Sequence, residues 1–137
     1  MKNILILCTG NSCRSQIAHG FLNHYTDNSI SVFSAGIEKH GLNKNAVKSM
    51  AKIGIDISHH NSNLIDEYKN EKFDFIITVC DNANETCPIS PNSNGKKIHK
   101  NFADPSKLNN GFYNKDFEEV RDQIKSFIIN FIEEELF

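Results

Sequence analysis

Cys8-Thr9-Gly10-Asn11-Ser12-Cys13-Arg14-Ser15 sets a thiol ahead of an arginine with five residues between them, a glycine among those five and a serine just after. Together these residue types can hold and attack a tetrahedral oxyanion. Arg14 offers two parallel donors to such an anion. Gly10 allows a tight turn, and successive backbone N–H groups at a helix start add a concave positive field. The same field favours a thiolate at Cys8, the form that acts as a nucleophile. Ser15 can donate a hydrogen bond to that sulfur, and Asn11 can hold the loop in its turn. A Cys-x5-Arg spacing arises by chance often enough that its weight depends on its flanks. Here an apolar strand-like run precedes it and an amphipathic helix comes after it. Cys13, at the start of that helix, reads as a structural, partly buried thiol.

The other two cysteines, Cys80 and Cys87, are separated by six intervening residues. Neither Cys8/Cys13 nor Cys80/Cys87 has the Cys-x2-Cys look of a structural zinc site. They are buried inert thiols or reactive ones, and Cys87, in a polar stretch, fits burial poorly. Asp104-Pro105, taken alone, reads as a turn.

The elements that must position these residues can be read from the apolar period. Residues 2–7 read as a buried strand and 14–25 as a helix with Ile17, Phe21, Leu22 and Tyr25 on one side. Residues 31–35 read as a second strand closed by Gly36. A second helix is expected over 43–53, with Val47, Met50 and Ala51 inward and Gly54 as its stop. Ser62 reads as the N-cap of a short helix carrying Leu64, Ile65 and Tyr68. Residues 73–79 read as a central strand, 81–95 as a loop rich in Asn, Ser and Pro, and 97–99 as a short edge strand. The final helix is expected over 115–135, with Phe117, Val120, Ile124, Phe127, Ile128, Phe131 and Ile132 at helical spacing. Strands alternating with helices predict an open parallel sheet with helices on both faces, which takes ligands at the carboxyl ends of its strands. Cys8 comes after the first strand and Cys80 after the central one, so the two thiols are expected on one edge of the sheet.

The 137 residues suit one domain, 1–137. With 39% hydrophobic residues, 23% charged residues and a net charge of −2, the chain is an ordinary globular sequence. It has no basic footprint for nucleic acid or an anionic membrane. No apolar run is long enough to span a bilayer, and the N-terminal run is too short for a secretory signal. A reducing cytoplasm is the expected compartment, which argues against a structural disulfide framework. Nothing demands more than a monomer. His19, His40, His59 and His60 are read as surface or capping residues, since no carboxylate cluster accompanies them. Glu133-Glu134-Glu135 reads as a solvated helix end.

The loop resembles that of the low-molecular-weight protein tyrosine phosphatases. The run from Cys8 to Gln16 resembles the thioredoxin-coupled arsenate reductases of that superfamily. The likeness continues through Ser34-Ala35-Gly36-Ile37-Glu38, His40-Gly41, Asp56-Ile57-Ser58, Thr78-Val79-Cys80, Cys87-Pro88 and Asp104-Pro105. It implies a three-layer α/β sandwich with a central four-stranded parallel sheet. It also implies an oxyanion loop of Thr9, Gly10, Asn11, Ser12, Cys13, Arg14 and Ser15, with Cys8, Arg14, Asp104, Cys80 and Cys87 as catalytic residues. Arsenate would be the substrate, with phosphate or sulfate as analogues, and no cofactor is expected. Cys8 would attack arsenic, Asp104 would protonate the leaving oxygen, and a disulfide would pass from Cys8–Cys80 to Cys80–Cys87 for thioredoxin to reduce. Two features separate this reading from a phosphatase: the Cys80-x6-Cys87 pair, and Ser106-Lys107 in place of aromatic residues after Asp104-Pro105. Residual phosphatase activity is compatible with the loop. The alternatives are a tyrosine or small-molecule phosphatase without the relay, and a non-catalytic thiol redox sensor. Some members of the superfamily hold a potassium ion through carboxylates at positions matching His19 and Asn63. Those carboxylates are missing here, and Asn11 and Ser34 alone would make a poor cation site, so no metal is expected.

Overall fold

The computed structural model describes residues 2–68, 70–80, 95–105 and 115–136. Within them the chain runs β1 (Lys2–Cys8), α1 (Arg14–Tyr25), β2 (Ile30–Gly36) and α2 (Lys44–Ala51). It continues through a 3-10 turn (Ile65–Tyr68), β3 (Phe75–Thr78), β4 (Lys96–His99) and α3 (Lys115–Phe131), which runs on into a π-helical turn (Ile132–Leu136). The four strands form one parallel sheet in the order β2-β1-β3-β4. This is the α/β architecture expected from the sequence. The loop expected over 81–95, and Cys87 within it, lie outside the described residues except for Gly95.

β1 is central because it is apolar on both sides. Ile4, Ile6 and Leu7 are fully buried and Leu5 nearly so, as a strand covered on both faces requires. The two faces can be told apart on β2, where successive side chains alternate. Ser34 meets His19 of α1. Phe33 packs edge-on against Tyr68 of the 3-10 turn and against Phe73. Helix α1 therefore covers one face and the Ile65–Tyr68 turn the other. At the sheet edge, β4 exposes Lys96 and Lys97, charges that discourage pairing with another chain.

Three local features set the helix positions. Asn43 caps α2, its side-chain oxygen accepting from the N–H groups of Asn45 and Ala46 at 2.8 and 3.1 Å. After α2, Gly54 takes φ +82 and the Ile55 N–H closes onto the Met50 carbonyl at 3.0 Å, so the expected glycine stop is present. Along α3 the stripe of Phe117, Val120, Ile124, Ile128 and Phe131 is buried, while Arg121 reaches across to the Ser49 carbonyl of α2 at 2.9 Å.

Some details differ from the sequence expectation. The inward side of α2 is Ala46, Ser49 and Met50, whereas Ala51 is exposed. Of the residues expected inward, Met50 is fully buried and Val47 packs against the core, so Ala51 alone departs. Tyr25 ends α1 exposed, stacked loosely on Phe21. The central strand shrinks to Phe75–Thr78. Ser62 does not cap the 3-10 turn, because its hydroxyl donates to the Gly10 carbonyl, 52 residues away, at 3.0 Å. Among the described residues no helix is long and apolar enough to cross a membrane.

Packing and capping give separable stability effects. Asn43→Ala removes the α2 cap and is expected to cost about 1 kcal/mol. Phe21→Ala empties a fully buried ring site and is expected to cost about 3–5 kcal/mol. Urea unfolding checks both; a Phe21→Ala loss no larger than that of Asn43→Ala would contradict this assignment of the core.

Candidate active site

The register aligns the ends of three strands. Cys8 pairs with Gly36 and Leu7 with Thr78, so β1, β2 and β3 finish at one edge. Cys8 ends β1, Cys80 lies two residues past β3, and the loop 9–13 leads into α1. The expected shared edge is realised: the Thr9 hydroxyl lies 3.3 Å from Cys80 Sγ. Cys8, Cys13 and Cys80 are all buried and all carry free thiols.

The shape of the loop comes from where its carbonyls point. The Cys8 carbonyl accepts from the N–H of Ile37 at 3.4 Å, Thr9 from Glu38 at 2.8 Å, Gly10 from His40 at 3.0 Å and Ser12 from Asn43 at 3.0 Å. The Asn11 carbonyl accepts from Gln16 Nε2 at 3.0 Å, and that of Cys13 from Ile17 N–H inside α1 at 2.9 Å. In a trans peptide the next N–H points opposite to the carbonyl. With these carbonyls turned outward, the N–H groups of residues 9–14 turn toward the hollow of the loop. No side chain caps the start of α1, and its first turn has no acidic residue, which leaves this end suited to an external anion.

Backbone strain and close approach fix the turn. Asn11 sits at φ 47, in the left-handed region that asparagine tolerates better than most residues. Gly36 lies so close beneath the loop that a Cβ there would stand 2.7 Å from the Asn11 nitrogen and 2.8 Å from the Thr9 carbonyl oxygen. A side chain at 36 would push the loop off the end of the sheet.

Buried polar side chains then converge on the Cys8 thiol. Asn63 N–H donates to Asn11 Oδ1 at 2.7 Å, which places the Asn11 amide nitrogen toward Ser15. That nitrogen donates to Ser15 Oγ at 2.8 Å. Ser15 Oγ lies 3.0 Å from Cys8 Sγ. Accepting from Asn11 leaves the hydroxyl its own proton, which it can give to a thiolate at Cys8. Three hydrogen bonds in series thus lead from Asn63 to Cys8. At Cys13 burial pushes the thiol up, and Asp104 and Cys8 add to the effect. It stays protonated, as the structural reading expected, and offers the loop only its backbone.

Arg14 and Asp104 face each other across the site. Arg14 Nη2 stands 3.6 Å from Asp104 Oδ2, and Nη1 donates to the Phe102 carbonyl at 2.9 Å. Thus Arg14 is tethered on the α1 side of the segment that carries Asp104. The structure brings together Cys8, Thr9 to Ser15, Cys80 and Asp104; Cys87 lies outside the described residues.

The histidines correct one expectation. His40 is a surface residue paired with Glu38 at 2.7 Å, and His59 is exposed. His19 and His60 are half-buried and each is held by a polar side chain of the interior. His19 Nδ1 lies 2.8 Å from Ser34 Oγ, and His60 Nδ1 lies 2.9 Å from Gln16 Oε1. Asn63 serves the loop through its backbone. Among the described residues no group of three or more His, Cys, Asp or Glu is arranged to hold a metal ion. Sequence reasoning gave no role to Gln16, Ser62 or Phe102 in the site; of these only Gln16, adjoining the Cys8–Ser15 run, carried any signal.

The chain is similar to known proteins over nearly its whole length. It is 46% identical over 134 residues to an arsenate reductase of Halalkalibacterium halodurans, covering 96% of each chain. It is 45% identical over 130 residues to arsenate reductase 2 of Staphylococcus haemolyticus, covering 95% of each. A solved structure described as an arsenate reductase in the phosphate binding state superposes with a TM-score of 0.78 at 30% identity, covering 97% of this chain and 98% of that one. The profile of the family described as low molecular weight phosphotyrosine protein phosphatase matches residues 3–136, and with its outward-turned carbonyls and the Cys8 thiol at the base of the loop, the chain belongs to that family.

Proposed function

We propose that this chain reduces arsenate to arsenite, using Cys8 as nucleophile and Cys80 and Cys87 as a disulfide relay that thioredoxin resets. The observation that carries the reading is the Cys80 thiol at the rim of the anion loop, 3.3 Å from the Thr9 hydroxyl. Hydrolysis of a phosphate ester needs no second thiol there. The arsenate reductases to which the chain is about 45% identical favour the same conclusion.

Each step uses one of these residues. Arsenate sits in the hollow of residues 9–14 with Arg14 across it. The Cys8 thiolate attacks arsenic(V), forming an As–S bond, while Asp104 gives a proton to the departing oxygen, which leaves as water. Cys80, as thiolate, then attacks Cys8 Sγ. The As–S bond breaks, its electron pair stays on arsenic, and arsenite leaves with arsenic as arsenic(III). Two thiols have been oxidised by two electrons, giving the Cys8–Cys80 disulfide. Cys87 attacks Cys80 Sγ, frees Cys8 and leaves Cys80–Cys87 for an external dithiol. Thioredoxin as the donor, and a cytoplasmic monomer as the working form, belong to the same proposal.

A second reading, phosphate-ester hydrolysis, is favoured by the Arg14–Asp104 pair beside Cys8; it needs neither Cys80 nor Cys87. Arsenate-dependent NADPH oxidation with thioredoxin and thioredoxin reductase separates the two. Turnover is expected for the unaltered chain and none for Cys8→Ser, Cys80→Ser or Cys87→Ser. Full turnover in Cys80→Ser or Cys87→Ser would sink the relay. A phosphate-ester substrate turned over far faster than arsenate would replace the reading with hydrolysis, and no turnover of either kind would favour a redox sensor. Ser15→Ala removes the hydroxyl donor to Cys8. It is expected to lower kcat/KM by roughly ten- to a hundredfold, the worth of one hydrogen bond to a charged group; an unchanged value would remove Ser15 from the mechanism.

A further inference from the structure

The polar cluster behind the anion loop has a hydrogen-bond direction that can be read without ambiguity. Gln16 is fully buried. Its Nε2 lies 3.0 Å from the Asn11 carbonyl and 2.9 Å from the Asn61 carbonyl. Both partners only accept, so that atom is the amide nitrogen and both of its protons are used. The amide oxygen therefore faces His60 Nδ1 at 2.9 Å. An oxygen can only accept, so His60 carries a proton on Nδ1. A neutral ring then leaves Nε2 bare, and the tautomer is set by the contact rather than assumed.

The ring is held in this pose by its neighbours. His19 of α1 stacks on it with centroids 4.4 Å apart and is itself anchored to Ser34 of β2. His59 stands perpendicular to it at 4.8 Å, and Asp56 on the same connection is the nearby carboxylate that acts on it. Burial, then His59, pushes His60 down to about 4 against a partial opposing pull from Asp56. His19 is pushed down to about 3 by burial and by His60 and His59. Both rings are neutral at any pH where the chain would work, so the stack carries no charge repulsion.

We propose that His60 is a positioning residue for the oxyanion loop: its Nδ1–H locks the Gln16 amide, which pulls the Asn11 carbonyl outward and so holds the adjoining N–H at the anion. The inference rests on reading residues 8–15 as an oxyanion site. His60 touches neither the anion nor Cys8. Without that donor the buried Gln16 oxygen has lost its partner, and the amide is held by its nitrogen alone. Asn11, at its left-handed φ, then has a weaker hold on its outgoing peptide, that of Ser12 N–H.

Three substitutions separate the donor from the ring. The Nδ2 of an asparagine falls close to the place of a histidine Nδ1, so His60→Asn keeps the donor without the imidazole. His60→Phe keeps a ring and loses the donor, and His60→Ala loses both. Affinity of the reduced chain for inorganic phosphate is the first readout, by calorimetry. His60→Ala and His60→Phe are expected to weaken phosphate binding about tenfold, near the worth of one buried hydrogen bond, and His60→Asn to stay close to the unaltered chain. In turnover the loss is expected in KM more than in kcat. The second readout is the long-range 1H–15N spectrum of the unaltered chain from about pH 5 to 8. It should show His60 protonated on Nδ1, bare on Nε2, and free of any titration in that range. A proton on Nε2, or a His60→Phe chain that binds phosphate as well as the original, would overturn the proposal. Phosphate affinity and the imidazole spectrum are both read without arsenate turnover, so failure of the reductase assay and failure of this proposal are separate results.

Discussion

Six consecutive carbonyls, from Cys8 to Cys13, accept hydrogen bonds that draw them out of the loop they form. Planarity of the peptide does the rest, turning the six succeeding N–H groups the other way. A short stretch of chain becomes an anion-binding hollow without any large cationic field, which suits a protein of net charge −2. The donors come from the segment after β2, from Gln16 and from the start of α1. The site is thus an interface between a strand end, a helix end and the connections packed behind them.

That origin explains why so much of the surrounding fold is constrained. Gly36 is required because the end of β2 is pressed against the Asn11 nitrogen. Asn43 has two tasks: its side chain caps α2 while its own N–H holds the Ser12 carbonyl. Ser62 and Asn63 fasten Gly10 and Asn11 from a stretch more than fifty residues away. Buried Asn11, Ser15 and Gln16 are tolerable in an apolar interior because each is hydrogen-bonded. Leaving such a group unpaired costs more than a typical bond contributes. Such a network favours one geometry, which is what a site needs if it is to hold charge that develops during a reaction.

The sequence carried the chemistry further than it carried the supports. The Cys8–Ser15 spacing, the strand-helix alternation and the sheet edge shared by Cys8 and Cys80 were legible because each rests on local pattern and one topological rule. Gln16, His60 and Ser62 were not legible as parts of the site. Apart from the Gln16 bond to nearby Asn11, their partners lie 44 to 52 residues away, and spacing alone says nothing about such pairs. The histidines misled for the same reason. A histidine beside polar residues reads as surface, and only the fold reveals that His19 reaches Ser34 on a neighbouring strand. On α2, Val47 and Met50 face the core as expected and Ala51 does not, since eight residues give too little periodicity to fix the edge of the buried face.

One loop can serve two chemistries, and the difference lies outside it. Cys8 to Ser15 supplies an oxyanion hollow and a nucleophile with a donor aimed at its sulfur, which hydrolysis and reduction both need. In the proposed reaction, the fate of the adduct on Cys8 depends on which group can reach it next. Water would have to be admitted to a thiol that is nearly fully buried. Cys80 is already there, delivered by the last turn of chain after β3 and touching Thr9 of the loop. Parallel strands ending in register make this possible, since β1 and β3 deliver their trailing residues to the same place however far apart they lie in sequence. The sheet therefore does more than support the loop: by aligning Leu7 with Thr78 it brings the Cys80 thiol to the edge that carries Cys8.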